Sequence, residues 1–121
     1  MIKILLIDDF ATIRLAVKKS LAGGDYEFIE ATDGQKGLEI AEKNPDTHLV
    51  ICDLNMPNLD GFGFVEKFRK LPGREKTPVF LLTTESSPEA KTKAKALGVT
   101  GWMIKPFNPE SMLAAVKKAL S

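Results

Sequence analysis

The chain has 121 residues, 44% of them apolar, and its 17 basic side chains nearly balance 16 acidic ones for a net charge of +1. That length builds one domain with a proper core and little room for a second, and the ordinary composition excludes disorder, collagen-like repeats and coiled coils. No apolar run approaches the roughly 20 residues of a membrane helix, and a nearly neutral chain without a recognisable nucleic-acid motif is not expected to bind DNA or RNA.

Met1 leads straight into an apolar run, with none of the charged, apolar and cleavage regions of a signal peptide. Residues 2–7 read as a strand that ends in Asp8 and Asp9. Residues 11–21 read as a helix with Ile13, Ala16, Val17 and Leu21 on one side, stopped by Gly23 and Gly24. A short, weakly marked strand follows at 27–31. Asp33 is placed to cap a helix that runs to about Lys43 and ends before Pro45. Residues 48–52 form a third strand containing Cys52, the single cysteine, which reads as a buried core thiol. His48 has no Cys or His companions at ligand spacing and reads as a structural or surface residue. Asp53 closes this strand. Residues 61–71 read as a helix with Phe64, Val65, Phe68 and Leu71 at helical spacing. A fourth strand spans 78–82 and a polar, Ala- and Lys-rich helix spans 88–97. Gly98 is expected to end that helix in a left-handed cap, and Gly61 to supply a backbone conformation closed to other residues. A fifth strand at 99–104 and a last helix at 109–120, with Pro109 near its first turn, complete the chain.

Strand and helix alternate five times. Parallel strands need crossover helices, and strands covered on both faces read as continuous Val/Ile/Leu runs. The first, third and fourth strands have that character and are expected at the centre. Right-handed crossovers then give an open, doubly wound α/β sheet with helices on both faces. Its ligand site lies beyond the carboxyl ends of the strands, near the point where strand order reverses. Asp8, Asp9, Asp53, Thr83 and Lys105 all fall at such ends, so the architecture gathers them.

Three close carboxylates repel, and burial pushes at least one toward protonation unless a cation offsets them. The oxygens on offer come from Asp8, Asp9 and Asp53, with the Asn55 carbonyl in reach. Such hard donors suit Mg²⁺, which prefers octahedral oxygen coordination and keeps several waters. Lys105 can place a positive charge against a phosphoryl oxygen, and Thr83 can offer a hydroxyl. Each residue also has a plain structural reading: helix capping for Asp8 or Asp9, a turn before Pro57 for Asp53, a loop hydroxyl for Thr83, a turn for Lys105 and Pro106. These readings are sound singly and poor together, since each falls at the end of a different strand.

These residues form motifs: the acidic pair Asp8-Asp9, the Asp-x-x-Met-Pro-x-x-Asp-Gly stretch from Asp53 to Gly61, the Thr83-Thr84-Glu85 segment, and Lys105-Pro106-Phe107. With them the chain resembles, end to end, the receiver domain of two-component response regulators. The likeness is closest to the single-domain chemotaxis (CheY-like) type. It implies a flavodoxin-like (βα)5 fold with strand order 2-1-3-4-5, an order that the sequence pattern itself does not supply. It also implies that Asp53 is a phosphoacceptor for a histidine kinase and that Asp8, Asp9, Asp53 and the Asn55 carbonyl hold Mg²⁺. Thr83 and Lys105 would bind the phosphoryl oxygens, and the Lys105-Pro106 bond would be cis. Asn55 and Glu85, polar and open, go in the family with short-lived phosphorylation. Such a domain is not an enzyme acting on external substrates but a phosphoacceptor that catalyses its own phosphorylation and dephosphorylation. An Asp-nucleophile phosphatase would carry a second Asp two residues on, where this chain has Asn55.

The output side also follows from the resemblance. An aromatic residue on the fifth strand, usually Tyr or Phe, couples the site to a surface of the fourth helix, fifth strand and fifth helix. Here that position holds Trp102, a departure; packing or solvent covering is its plain alternative. From Ala90 onward there are six Lys and one acid, Glu110. Scattered Lys usually mark a solvated face, but Lys91 and Lys95, with Lys117 and Lys118, place positive charge beside Trp102 for an acidic partner. In chemotaxis that partner is the flagellar motor switch. The expectation is a cytoplasmic monomer without membrane contact. A phosphate sink, a phosphorelay receiver, or a receiver cut from a larger regulator are the alternatives; a chain that stops one residue after Leu120 weighs against the last.

Overall fold

In the computed structural model, which describes every residue from Met1 to Ser121, ten elements alternate. They are β1 (Ile2–Ile7), α1 (Ala11–Ser20), β2 (Tyr26–Ala31), α2 (Gly34–Lys43), β3 (Leu49–Asp53), α3 (Gly61–Arg69), β4 (Val79–Thr83), α4 (Pro88–Ala96), β5 (Gly101–Ile104) and α5 (Pro109–Leu120). The five strands are parallel in the order β2-β1-β3-β4-β5. This is the doubly wound, flavodoxin-like arrangement implied by the resemblance.

Burial follows strand position. All five residues of β3 and of β4 are buried, as are the last four of β1, whereas the edge strands β2 and β5 are mostly half-exposed. The continuous apolar runs thus sit where both faces are covered. One core, built around Leu5, Val50, Phe64, Phe68 and Leu81, lies under α2 and α3. The other, built around Ile4, Ile51, Phe80, Met112 and Val116, lies under α1 and α5. No helix is long and apolar enough to cross a membrane.

Several boundaries differ from the sequence reading for local reasons. Asp53 and Thr83 are the last residues of their strands rather than the first beyond them. His48 precedes β3, exposed, with its Nδ1 accepting from the Lys3 amide at 3.0 Å. The helix predicted to reach Leu71 stops at Arg69, because the Lys70 and Leu71 amides turn back to Lys67 and Phe68. The fifth strand starts two residues late. The Gly98 amide donates to Lys95 O and the Val99 amide to Ala94 O, both at 3.0 Å, around a left-handed Gly98 (φ +84°). That is the Schellman ending expected of this glycine.

Gly61 is a correction. Its φ is not in the left-handed region, where only Gly23, Gly73 and Gly98 are found among the glycines. It is small because a Cβ there would lie 2.6 Å from Asp53 O and 2.9 Å from Leu54 Cα. The first turn of α3 is packed directly on the backbone of the Asp53 loop, and backbone cannot yield as a flexible side chain would. Gly61→Ala is therefore expected to cost about 2 kcal/mol of stability by overpacking, seen as a lower urea midpoint with an unchanged slope.

Candidate functional site

The carboxyl ends of β1, β3 and β5 meet in one acidic cluster. Side-chain oxygens of Asp8, Asp9 and Asp53 all lie within 4.8 Å of one another; Asp8 and Asp53 are buried and Asp9 is exposed. Lys105, just past β5, reaches in with its Nζ 3.1 Å from Asp8 Oδ2 and 3.2 Å from Asp53 Oδ1. The Lys105-Pro106 peptide is cis. Above Asp53 a cleft of about 340 Å³ opens, with Phe10, Asn55, Thr84 and Lys105 on its walls.

The charges do not balance. Three carboxylates face one ammonium, and like charges under 5 Å apart near a protein surface repel by about 3–4 kcal/mol per pair. Burial first, and then the neighbouring Asp8 charge, push the Asp53 carboxyl above its ordinary pKa, against the opposing pull of Lys105. Burial works against the charge on Lys105, but its hydrogen bond to Asp8 and the charges of Asp8 and Asp53 outweigh that and hold its pKa above the ordinary value. A divalent cation held by these oxygens would neutralise the remaining two negative charges. An all-oxygen, partly open donor set fits Mg²⁺ better than a nitrogen- or sulfur-seeking metal.

The plain alternatives fare differently. Asp8 does not cap α1: the N-cap is Phe10, which makes no side-chain capping bond, and Asp8 Oδ1 accepts from the Phe10 amide at 2.9 Å. Asp33 caps α2 as expected, accepting from the Lys36 amide at 2.8 Å. Cys52 is fully buried behind the site, and burial, reinforced by the charges of Asp53 and Asp8, drives its pKa well up, so it is an inert core thiol.

Thr83 ends the strand beside β3 but is only 1% exposed. Its Oγ1 accepts from the Glu85 amide at 3.1 Å, and the neighbouring Thr84, not Thr83, lines the cleft. Trp102 is half-buried on β5, and its indole N–H donates to the Glu85 carbonyl at 3.2 Å. Both polar groups of the Glu85 main chain are therefore held, one by Thr83 and one by Trp102. Lys91, Lys95 and Trp102 line a shared groove of about 280 Å³ between α4 and β5. Lys117 and Lys118, in the last turn of α5, do not line it.

Two supports were not legible in the sequence. Arg14 of α1 donates to the Asp8 carbonyl at 2.6 Å and pairs with Glu30 of β2 at 2.8 Å, bracing the acidic loop from outside. Asn58, in the loop after Asp53, donates to Asp33. Neither position has a local pattern that names its partner.

An acidic cluster with a lysine across it, at the carboxyl ends of a doubly wound parallel sheet, lies where such folds carry their ligand sites. The sequence profile described as "Response regulator receiver domain" matches residues 4–117. The chain is 37% identical over 117 residues to the "Probable chemotaxis protein CheY" of Rhizobium etli, covering 96% of this chain and 90% of that one. It is 36% identical over 118 residues to the "Probable transcriptional regulator ycf27" of Porphyridium aerugineum, covering 98% of this chain but 48% of that protein. Among solved structures, the chemotaxis response regulator CheY4 of Vibrio cholerae superposes with a TM-score of 0.91 at 42% identity, covering 99% of both chains. The chain belongs to the response regulator receiver family. Within that family it is CheY-like, matching the chemotaxis proteins along nearly their whole length.

Proposed function

We propose that this domain is a phosphorylation-activated switch of a two-component system, with Asp53 accepting a phosphoryl group from the phosphohistidine of a histidine kinase. The observation that carries this reading is the buried Asp53 carboxylate, held 3.2 Å from the Lys105 ammonium inside the three-Asp cluster and open to a cleft on its outer side. Asp8, Asp9, Asp53 and the Asn55 carbonyl would hold Mg²⁺, which when bound supplies charge neutralisation for an anionic nucleophile approaching an anionic phosphate. Asp53 provides the attacking oxygen, so that a P–O bond forms as the donor's P–N bond breaks. Lys105 draws charge onto the equatorial oxygens, and the Thr83 hydroxyl turns from Glu85 to donate to another. The chain supplies the positioning for its own modification and for its own hydrolysis. Exposed Asn55 and Glu85 leave water a path, which fits a short phosphoryl lifetime.

The phosphoryl group adds about −1.5 to −2 charge. Once Thr83 turns toward it, the Glu85 amide loses its partner, and the carbonyl that anchors Trp102 belongs to the same released loop. The switch thereby reaches the groove of Trp102, Lys91 and Lys95, an amphipathic anchor flanked by two positive charges that suits an acidic peptide. The flagellar motor switch is the proposed target, and a cytoplasmic monomer the proposed form. A second reading, a receiver module of a larger regulator, is favoured by the relative of which this chain spans about half.

Thr83→Ala tests the coupling. It is expected to keep phosphoryl uptake from acetyl phosphate while reducing phosphorylation-dependent capture of a motor-switch peptide. Equal capture by both proteins would remove Thr83 from the switch. Failure of the phosphorylated wild type to bind that peptide would favour the larger-regulator reading.

A further inference from the structure

The loop from Leu54 to Asp60 carries Asn55 into the cleft, and its far side is tied to α2. Asp33 has two carboxylate oxygens with separate tasks. Oδ1 caps α2 at the Lys36 amide, 2.8 Å away, while Oδ2 accepts from Asn58 Nδ2 at 2.9 Å, across 25 residues of sequence. Capping alone needs one oxygen. Asp33 is only 5% exposed, and its pKa is lowered by the Lys36 amide first and then by Asn58, so the bond to Asn58 is made by a buried carboxylate. Next to it the Gly34 amide donates to Leu59 O at 3.2 Å, and a Cβ on Gly34 would overlap that same carbonyl.

Asn58 is the one residue other than glycine in the left-handed region, at φ 69°. Where only the turn matters, glycine meets that demand at least steric cost. Asparagine keeps the turn and adds the amide that reaches Asp33. The loop is closed internally as well, by the Gly61 amide on Leu54 O at 2.8 Å. The loop is therefore closed at its base by this main-chain bond and anchored to α2 at its tip by Asn58.

We propose that Asp33 and Asn58 are positioning residues for phosphoryl transfer: their hydrogen bond fixes the loop that presents the Asn55 carbonyl beside Asp53. The inference rests on the phosphoacceptor reading. Neither side chain touches the phosphoryl group; both act through the loop. A displacement of about 1 Å at a site of this kind costs on the order of 10- to 100-fold in rate.

The test is a mutant cycle with uptake from acetyl phosphate as readout, followed at varied Mg²⁺. Asp33→Asn keeps the cap and, because the Asn58 amide can flip to present its oxygen, replaces the charge-assisted bond by a weaker neutral one. Asn58→Gly keeps the backbone and removes the anchor, so it remains informative if Asp33→Asn folds poorly. Asn58→Asp opposes two carboxylates. Asn58→Gly and Asn58→Asp are each expected to be slowed about tenfold and to need more Mg²⁺ for half-maximal rate, and Asp33→Asn to be slowed less. The combined Asp33→Asn, Asn58→Asp exchange restores the bond with donor and acceptor swapped, and with it a rate within about twofold of wild type. Wild-type rates and Mg²⁺ dependence in folded Asn58→Gly, or an exchange variant as slow as Asn58→Asp, would overturn the proposal. Wild-type protein that takes up no phosphoryl group overturns the acceptor reading, and this inference falls with it.

Discussion

Asp53→Asn is expected to lose phosphoryl uptake from acetyl phosphate by on the order of 100-fold or more, and at neutral pH to be more stable than the wild type when no divalent cation is present. Both follow from one arrangement. The amide cannot form the acyl phosphate, and it also removes a charge that the native fold disfavours. Burial and the nearby Asp8 carboxylate hold the Asp53 pKa above its ordinary 3.8, despite Lys105. The native state thus binds this proton more tightly than the unfolded chain does. The stability this group contributes is full below the ordinary carboxylate value and is lost as pH rises through the raised native value. The stability gap between variant and wild type should accordingly be small in acid, widen through that window and then level off. Taking the difference removes the carboxylates of opposite sign, Glu30, Asp33 and Asp46, whose pKa values are lowered. Denaturant melts of both proteins across pH, in chelator, measure it. Saturating Mg²⁺ should narrow the gap by offsetting the repulsion in the wild type alone. A gap that is constant with pH, or a variant less stable than wild type throughout, would mean that Lys105 already neutralises Asp53.

Arg74→Ala is expected to destabilise the fold by about 3 kcal/mol while leaving uptake per folded molecule unchanged. Arg74, 4% exposed, sits at the opposite end of the sheet from the acidic cluster. It donates to Asn44 O at 2.7 Å and to Thr47 O at 3.1 Å, and its guanidinium lies 5.4 Å from the Phe68 ring centre. No carboxylate pairs with it, and burial lowers its pKa. Truncation leaves the Thr47 carbonyl without its donor, at about 1–3 kcal/mol when water is kept out; the Asn44 carbonyl keeps the Thr47 amide and hydroxyl, and the lost packing of the side chain on Phe68 adds to the cost. A loss of that size lowers the melting temperature of a chain this long by about 10 °C. Arg74→Lys should recover only part of it, since a single ammonium cannot fork between the two carbonyls. A change under about 1 kcal/mol would mean that water replaces the guanidinium there.

The contrast between these two residues describes what the sequence could tell. Asp53 was legible because local rules place it: an apolar run must stop at it, and the sheet's topology brings strand ends together. The same logic located Asp8, Asp9 and Lys105, and helix rules located the Asp33 cap and the Gly98 ending. Arg74, Arg14 and Asn58 act across 27–30, 6 and 25 residues respectively. The partners are main-chain carbonyls, a second carboxylate oxygen and, for Arg14, also Glu30 on β2, none of which a local sequence pattern names. Gly61 was singled out for the wrong reason, because a glycine required by close packing and one required by backbone angle look alike in a sequence. The Glu85 link between Thr83 and Trp102 was also invisible, since it runs through the main chain.

The central claim is tested most directly by locating the acyl phosphate. Folded protein is exposed to acetyl phosphate with Mg²⁺, the acyl phosphate is reduced with borohydride, and the modified position is read by peptide mass spectrometry. The account predicts homoserine at position 53, formed in Mg²⁺ and absent in chelator. Homoserine at any other aspartate, or equal yield without a divalent cation, would contradict it.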